Sequence, residues 1–144
     1  MGKRRSSREL GIRFLYQVEM NAGDFEDQLA QFWERNPCQK DIQEYTATLV
    51  HAFFQNKREI DDCLERLSSH WTLERMGVVD RNLLRLAAGE MIYIRTVPPA
   101  VIINEAVEIA KKYGCEESPS FVNGVLDKLK KEIEDGRVST TPVP

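Results

Sequence analysis

Residues 79–94 read VDRNLLRLAAGEMIYI, and residues 102–114 read IINEAVEIAKKYG. In both segments the apolar residues recur every three or four positions, which is the spacing of one face of an α-helix. Pro98-Pro99 separates the two segments, and a proline pair ends or interrupts a helix. The two segments therefore predict two amphipathic helices that bury their apolar faces in a protein core.

The same spacing extends over most of the chain. It predicts further helices at about 6–20, 27–34, 42–53, 60–71 and 118–133, and no segment shows the sustained alternation of a strand. About seven helices with short connections predict an all-α protein, built as one bundle or as paired bundles. Residues 1–136 are expected to form a single domain. Residues 137–144, rich in Ser, Thr and Pro, are expected to be a disordered tail.

Composition excludes several classes of protein. The 144 residues are 42% hydrophobic and 30% charged, which is typical of a soluble globular domain. No apolar run approaches the roughly 20 residues that a membrane-spanning helix needs. The three cysteines, Cys38, Cys63 and Cys115, form no CxxC pair, which favours a reducing cytoplasm over a disulfide framework.

The charge is distributed unevenly. The net charge is −3, yet residues 1–13 contain five Lys and Arg side chains against one acid, Glu9. A basic end on an acidic body indicates an anionic partner that binds at one place.

The position of these charges on the first helix suggests which anion binds. With 100° per residue, Leu10, Phe14 and Val18 fall on the core side, and Arg5, Arg8 and Tyr16 fall roughly opposite. Guanidinium groups pair with phosphates and an aromatic ring can stack on an unpaired base, so this face suits RNA. Cations also cost about 0.3–1 kcal/mol each at a helix N-terminus, which suggests compensation by an external anion. A solvated basic tail explains the same residues equally well.

The sequence offers no catalytic constellation. His51 and His70 have no metal-binding spacing, and no glycine-rich phosphate loop or nucleophile elbow is present. Cys63 and Cys115 lie on or near apolar faces and are expected to be inert packing residues. We therefore expect no catalytic residue, no metal site and no cofactor.

Several acids need an explanation. Glu90 falls in the middle of an apolar stripe, where a carboxylate is costly unless it is paired, so we expect it to accept bonds from an arginine or from backbone groups. The other acids of this region are expected to face solvent, with Glu108 pairing with Lys112 one turn away, or to form an acidic face for a basic protein. These acids are Glu74, Asp80, Glu105 and Glu108.

The residues assembled here resemble the NusB family of bacterial transcription antitermination factors. The resemblance spans nearly the whole chain and is weakest over residues 25–70. Three stretches show it: Lys3-Arg4-Arg5 with Arg8-Glu9 and Phe14-Leu15-Tyr16, then residues 73–91, then Val97-Pro98 with INEAVEIAKKYG at 103–114 and FVNGVLDKL at 121–129.

The resemblance implies a non-enzymatic protein of the bacterial cytoplasm with two small helical subdomains. It implies binding to the single-stranded boxA element of nascent ribosomal RNA together with the ribosomal protein NusE, in an antitermination complex with RNA polymerase. Its protein-binding side corresponds to Glu74 and Asp80. Its RNA-binding residues correspond to Lys3, Arg4, Arg5, Arg8, Tyr16, Phe121, Asn123 and Lys128.

Two other functions fit the same sequence. One is a helical protein-interaction adaptor without RNA specificity, and the other is an isolated domain related to the helical domain of rRNA methyltransferases. The sequence leaves open whether the free protein forms a homodimer. Replacing Arg5 and Arg8 by Ala is expected to weaken RNA binding several-fold without unfolding the domain.

Overall fold

The computed structural model describes residues 2–69 and 71–144, and within these ranges it contains helices and no strand. The prediction of an all-α fold with seven helices is confirmed. The α-helices are α1 (Gly2–Met20), α2 (Phe25–Arg35), α3 (Lys40–Gln55), α4 (Lys57–Leu67), α5 (Val78–Gly89), α6 (Pro99–Tyr113) and α7 (Ser118–Glu134). A 3₁₀ turn covers Leu73–Arg75, and a π-helical turn, Glu90–Ile94, extends α5.

Helix α5 is the centre of the fold. It packs against α1, α3, α4, α6 and α7, and the buried apolar residues of these helices form one core. Every residue from Asn82 to Gly89 is buried. At Gly11 of α1, an added Cβ would lie 2.8 Å from Leu86 Cδ1 of α5. Glycine therefore lets α1 lie directly against α5.

Three details differ from the sequence predictions. The stripe at 79–94 does not form one regular α-helix, because its last turn is π-helical. Helix α4 ends at Leu67, and Trp71 is exposed. The Ser118-Pro119 pair predicts that Ser118 caps α7, but Ser118 is the first residue of that helix, and its Oγ accepts the backbone N–H of Cys115 at 3.0 Å.

The C-terminal segment 137–144 contains no helix or strand. Val138 packs against the core, and the backbone N–H of Thr141 donates to the carbonyl of Ile92 at 2.9 Å. Disorder of this segment stays a prediction.

None of the described helices is long and apolar enough to cross a membrane.

Candidate nucleic-acid interface

Helix α1 is buried over a wider sector than the sequence predicts. Ser7, Arg8, Gly11, Ile12, Phe14 and Leu15 are all buried, because α1 packs against both α3 and α5. The prediction that Arg8 faces solvent opposite the core is wrong, whereas Tyr16 is 47% exposed as expected.

Arg8 is the centre of a buried charge cluster. Its Nε and Nη2 donate to the two carboxylate oxygens of Glu90 at 2.9 and 2.7 Å, and the Tyr45 hydroxyl donates to Glu90 as well. Only 6% of the Arg8 side chain and 1% of the Glu90 side chain are exposed. Burial lowers the pKa of Arg8, but hydrogen bonding and the charge of Glu90 outweigh it and raise the pKa overall. Burial and Glu90 together raise the pKa of Tyr45 to about 12. The structural role predicted for Glu90 is confirmed.

Arg5 is held by a second carboxylate. Its Nε and Nη2 donate to Glu105 at 2.9 and 2.7 Å, and Arg8 Nη1 lies 3.7 Å from the same carboxylate. Glu105 is buried, so the prediction that it faces solvent is wrong. The hydrogen bonds from Arg5 lower the pKa of Glu105. About a third of the Arg5 side chain stays exposed, and its Nη1 makes no hydrogen bond within the described residues.

The basic residues at the start of α1, Lys3, Arg4, Arg5 and Arg8, are called the arm below. Lys3 and Arg4 also have partners within the chain. Lys3 Nζ lies 2.6 Å from an Asp41 carboxylate oxygen, and the Arg4 guanidinium lies over the Tyr45 ring, 3.6 Å from its centroid. Much of the charge at the start of α1 is therefore compensated inside the chain. This weakens the inference that only an external anion could balance it.

These pairings predict a loss of stability in acid. When folding lowers the pKa of a carboxyl group, that group stabilises the fold at pH values above its ordinary pKa, which is near 4.5 for Glu105. This stabilisation is lost as the pH falls through the lower pKa of the folded state. Glu19, bonded to Arg81, acts in the same direction. Urea unfolding should show a falling free energy of unfolding from about pH 5 to about pH 3. Glu105→Gln should show a smaller fall over that interval; an equal fall would contradict this assignment.

Three of the predicted site residues lie on α7 and not on α1. Phe121 is half-buried against the core, Asn123 is exposed, and Lys128 Nζ is 3.4 Å from the carbonyl of Leu67. Within the described residues none of these three side chains hydrogen-bonds to the arm. Helix α6 lies between the two regions, since it packs along α7 and supplies Glu105 to Arg5. Their RNA-binding role stays a prediction.

The predicted protein-binding acids differ in exposure. Glu74 is exposed in the 3₁₀ turn, whereas Asp80 is buried in the first turn of α5. The prediction that Asp80 faces solvent is wrong, and a shared protein-binding role for the two stays a prediction. Glu108 is exposed as expected, but it pairs with Lys111 at 3.0 Å and not with Lys112.

A groove runs along the solvent-facing side of α1. Arg13, Tyr16 and Met20 line it from α1, Tyr113 from the end of α6, and Val78-Val79 from the start of α5. Its volume is about 490 Å³. The sequence places Tyr113 on the apolar face of α6, but it is 49% exposed. Its position just after Lys111-Lys112 and before Gly114, at a helix end, is the signal that could have identified it.

The described residues contain no group of three or more His, Cys, Asp and Glu that could hold a metal ion. The His51 ring bonds to Glu26 and to the Ala47 carbonyl, and His70 lies outside the described residues. Cys63 is half-buried, and burial raises the pKa of its thiol, in keeping with an inert residue. Cys115 is exposed, so the prediction that it packs on an apolar face is wrong.

Comparison with known proteins identifies the family. The NusB family model matches residues 5–131. The transcription antitermination protein NusB of Desulfosudis oleivorans is 44% identical over 137 residues, which cover 92% of this chain and 88% of that protein.

Two solved structures have the same fold. NusB of T. maritima has a TM-score of 0.81 at 38% identity and covers 90% of this chain and 91% of its own. A chain of the crystal structure of the antitermination factors NusB and NusE in complex with dsRNA has a TM-score of 0.80 at 30% identity, covering 91% and 98%. With the family model matched over most of its length, this chain belongs to the NusB family.

Proposed function

We propose that this chain is a transcription antitermination factor of the bacterial cytoplasm. It binds the boxA element of nascent ribosomal RNA together with NusE and helps RNA polymerase read through terminators. The observation that carries the proposal is the membership of the NusB family, whose relatives are named for antitermination and include one solved with NusE and double-stranded RNA. The names of these relatives refer to no enzymatic activity.

The exposed cations at the start of α1 are the proposed phosphate contacts. Lys3, Arg4 and Arg5 keep exposed surface, and Arg5 can donate from Nη1 to a phosphate while Glu105 holds Nε and Nη2. Arg8 is too deeply buried for this role, so we assign it the task of anchoring α1.

The rest of the proposed surface lies on α1 beyond the first turns and on α7. Tyr16 provides an exposed ring for an unpaired base, and the α7 residues Phe121, Asn123 and Lys128 would extend the surface beyond α6. NusE would bind on the side of Glu74 and Asp80.

Neutralising the exposed arm is expected to weaken RNA binding. The variant Lys3→Gln/Arg4→Gln/Arg5→Gln should bind a single-stranded boxA-like RNA about tenfold or more weakly at low salt. Each lost phosphate contact should also reduce the slope of log affinity against log salt by about 0.7. Titration at two salt concentrations, with and without NusE, measures both effects.

A charge-matched control separates specific contacts from net charge. Arg35, Arg58 and Arg137 are exposed outside the proposed surface, and their joint replacement by Gln should change affinity little. A duplex of the same sequence tests the preference for single strands. Equal binding by the arm variant and the wild type would contradict the proposal. Capture of NusE by a protein that binds no RNA would favour the adaptor function.

A further inference from the structure

Arg4 is the one residue of the arm that pairs with no carboxylate in the part of the chain that the structure describes. Lys3, Arg5 and Arg8 each lie within salt-bridge distance of an acid. The Arg4 guanidinium instead lies over the Tyr45 ring, with its Cζ 3.6 Å from the ring centroid, and its side chain makes no hydrogen bond to the described residues. Arg4 is exposed, so its positive charge stays at the surface.

The contact with Tyr45 uses the face of the guanidinium group and leaves its edges free. A separation of 3.6 Å is that of two flat groups in van der Waals contact, which fits stacking of the guanidinium plane on the ring. The five N–H donors of a guanidinium lie in its plane, so stacking engages none of them. In Arg5, by contrast, Nε and Nη2 already donate to Glu105. Arg4 can therefore offer two parallel donors to one phosphate.

The ring of Tyr45 is held in a fixed position. Tyr45 lies on α3 and is only 7% exposed, and its hydroxyl donates to the buried carboxylate of Glu90. Arg8 holds Glu90 in turn with two hydrogen bonds. Donation to a carboxylate also increases the electron density of the phenol ring, which strengthens the attraction between its face and a cation. The buried pair that anchors α1 thus also fixes the ring on which Arg4 lies.

We propose that Tyr45 is a positioning residue of the RNA site, which holds the Arg4 guanidinium ready to bind one phosphate of the RNA backbone. Arg4 makes the contact with RNA, and Tyr45 acts through Arg4. A long side chain that is already ordered in the free protein loses less entropy on binding, which is expected to improve the affinity about 3- to 10-fold. The inference rests on the proposed RNA-binding function and adds Tyr45 to the residues that serve it.

Two substitutions of Tyr45 separate this role from its contribution to stability. Tyr45→Phe and Tyr45→Leu both remove the hydrogen bond to Glu90, so both should lower the melting temperature. Tyr45→Phe keeps the ring and should bind a single-stranded boxA-like RNA within about twofold of the wild type. Tyr45→Leu removes the ring and should bind about 3- to 10-fold more weakly. Circular dichroism at the titration temperature confirms that each variant is folded.

A double-mutant cycle with Arg4 tests how Tyr45 acts. Arg4→Gln alone should weaken RNA binding several-fold and reduce the slope of log affinity against log salt by about 0.7. If Tyr45 acts through Arg4, Tyr45→Leu should change the affinity of the Arg4→Gln protein by less than about twofold. Arg58→Gln, the same charge change on an exposed residue of α4, is the control and should change the affinity little.

NMR of the wild-type protein gives a test that needs no destabilised variant. The ring current of Tyr45 should move the side-chain proton resonances of Arg4 upfield of those of the exposed Arg58. The same Arg4 resonances should shift when the RNA is added. Arg4 resonances in the free protein at the positions of a mobile arginine would overturn the positioning role.

Failure of this inference is distinguishable from failure of the proposed function. If the wild type binds no RNA, the proposed function fails and the inference fails with it. If the arm variant weakens RNA binding but Tyr45→Leu binds RNA as tightly as Tyr45→Phe, the positioning role is overturned and the proposed function stands. If Tyr45→Leu weakens binding equally with and without Arg4, Tyr45 does not act through Arg4, and the positioning role is likewise overturned.

Discussion

Replacing Arg8 by alanine is expected to lower the free energy of unfolding by about 3–5 kcal/mol, a large part of the roughly 5–15 kcal/mol typical of a domain. The reason is that Glu90, 1% exposed, would keep its charge in the core without its bidentate partner. The Tyr45 hydroxyl alone cannot compensate a buried carboxylate. Urea unfolding followed by circular dichroism at pH 7 measures the loss.

Two variants make this result specific. Arg5→Ala removes the same side chain from a site about one third exposed and should cost clearly less, because solvent screens Glu105 better than Glu90. Arg8→Met/Glu90→Gln removes both charges and should recover much of the stability lost in Arg8→Ala. A loss below about 1 kcal/mol for Arg8→Ala would contradict the buried-pair assignment.

The Arg8 result also separates what sequence can predict from what it cannot. Helical spacing predicts the helices and places Phe14 in the core. It misplaces Arg8, because projection around Leu10 and Val18 assumes one packing partner, whereas α1 has two. The sequence also predicts that Glu90 needs a partner but cannot name Arg8, 82 residues away, because that pairing arises only from tertiary packing.

The candidate site is predictable to a similar extent. Charge and helical phase place Arg5, Arg8 and Tyr16 on the surface of α1, which is right for Tyr16 and for part of Arg5 but wrong for Arg8. They cannot reveal that Glu105 already binds Arg5, or that Arg13 lacks a carboxylate, because both facts depend on how α6 and α2 pack beside α1. Tyr113 follows the apolar period of α6, yet it lies in the last turn, where the ring extends past the core into the groove.

Replacing Phe14 by alanine should cost about 3–5 kcal/mol of unfolding free energy. Phe14 is fully buried, and its ring makes edge-to-face contacts with Phe25 and Phe32 at centroid distances of 5.3 and 5.4 Å. The variant leaves a cavity between α1 and α2 that neighbouring side chains can only partly fill. Phe54→Ala is the matched control, since Phe54 stacks on Phe25 but is 48% exposed, and it should cost less than half as much.

Phe14 also distinguishes loss of fold from loss of the site, because it lies on α1 between Arg13 and Tyr16 but faces the core. A folded Phe14→Ala molecule keeps all the solvent-facing residues of α1 that are proposed to bind RNA. Its apparent RNA affinity should therefore fall only in proportion to the folded fraction. RNA at about 100 times its dissociation constant adds about 2.7 kcal/mol to the folded state and should restore most of the lost melting temperature. The Lys3→Gln/Arg4→Gln/Arg5→Gln variant should show the opposite pattern, with a smaller loss of melting temperature and weakened RNA binding. If saturating RNA left the melting temperature of Phe14→Ala unchanged while still raising that of the wild type, the core face and the RNA face of α1 would not be separable.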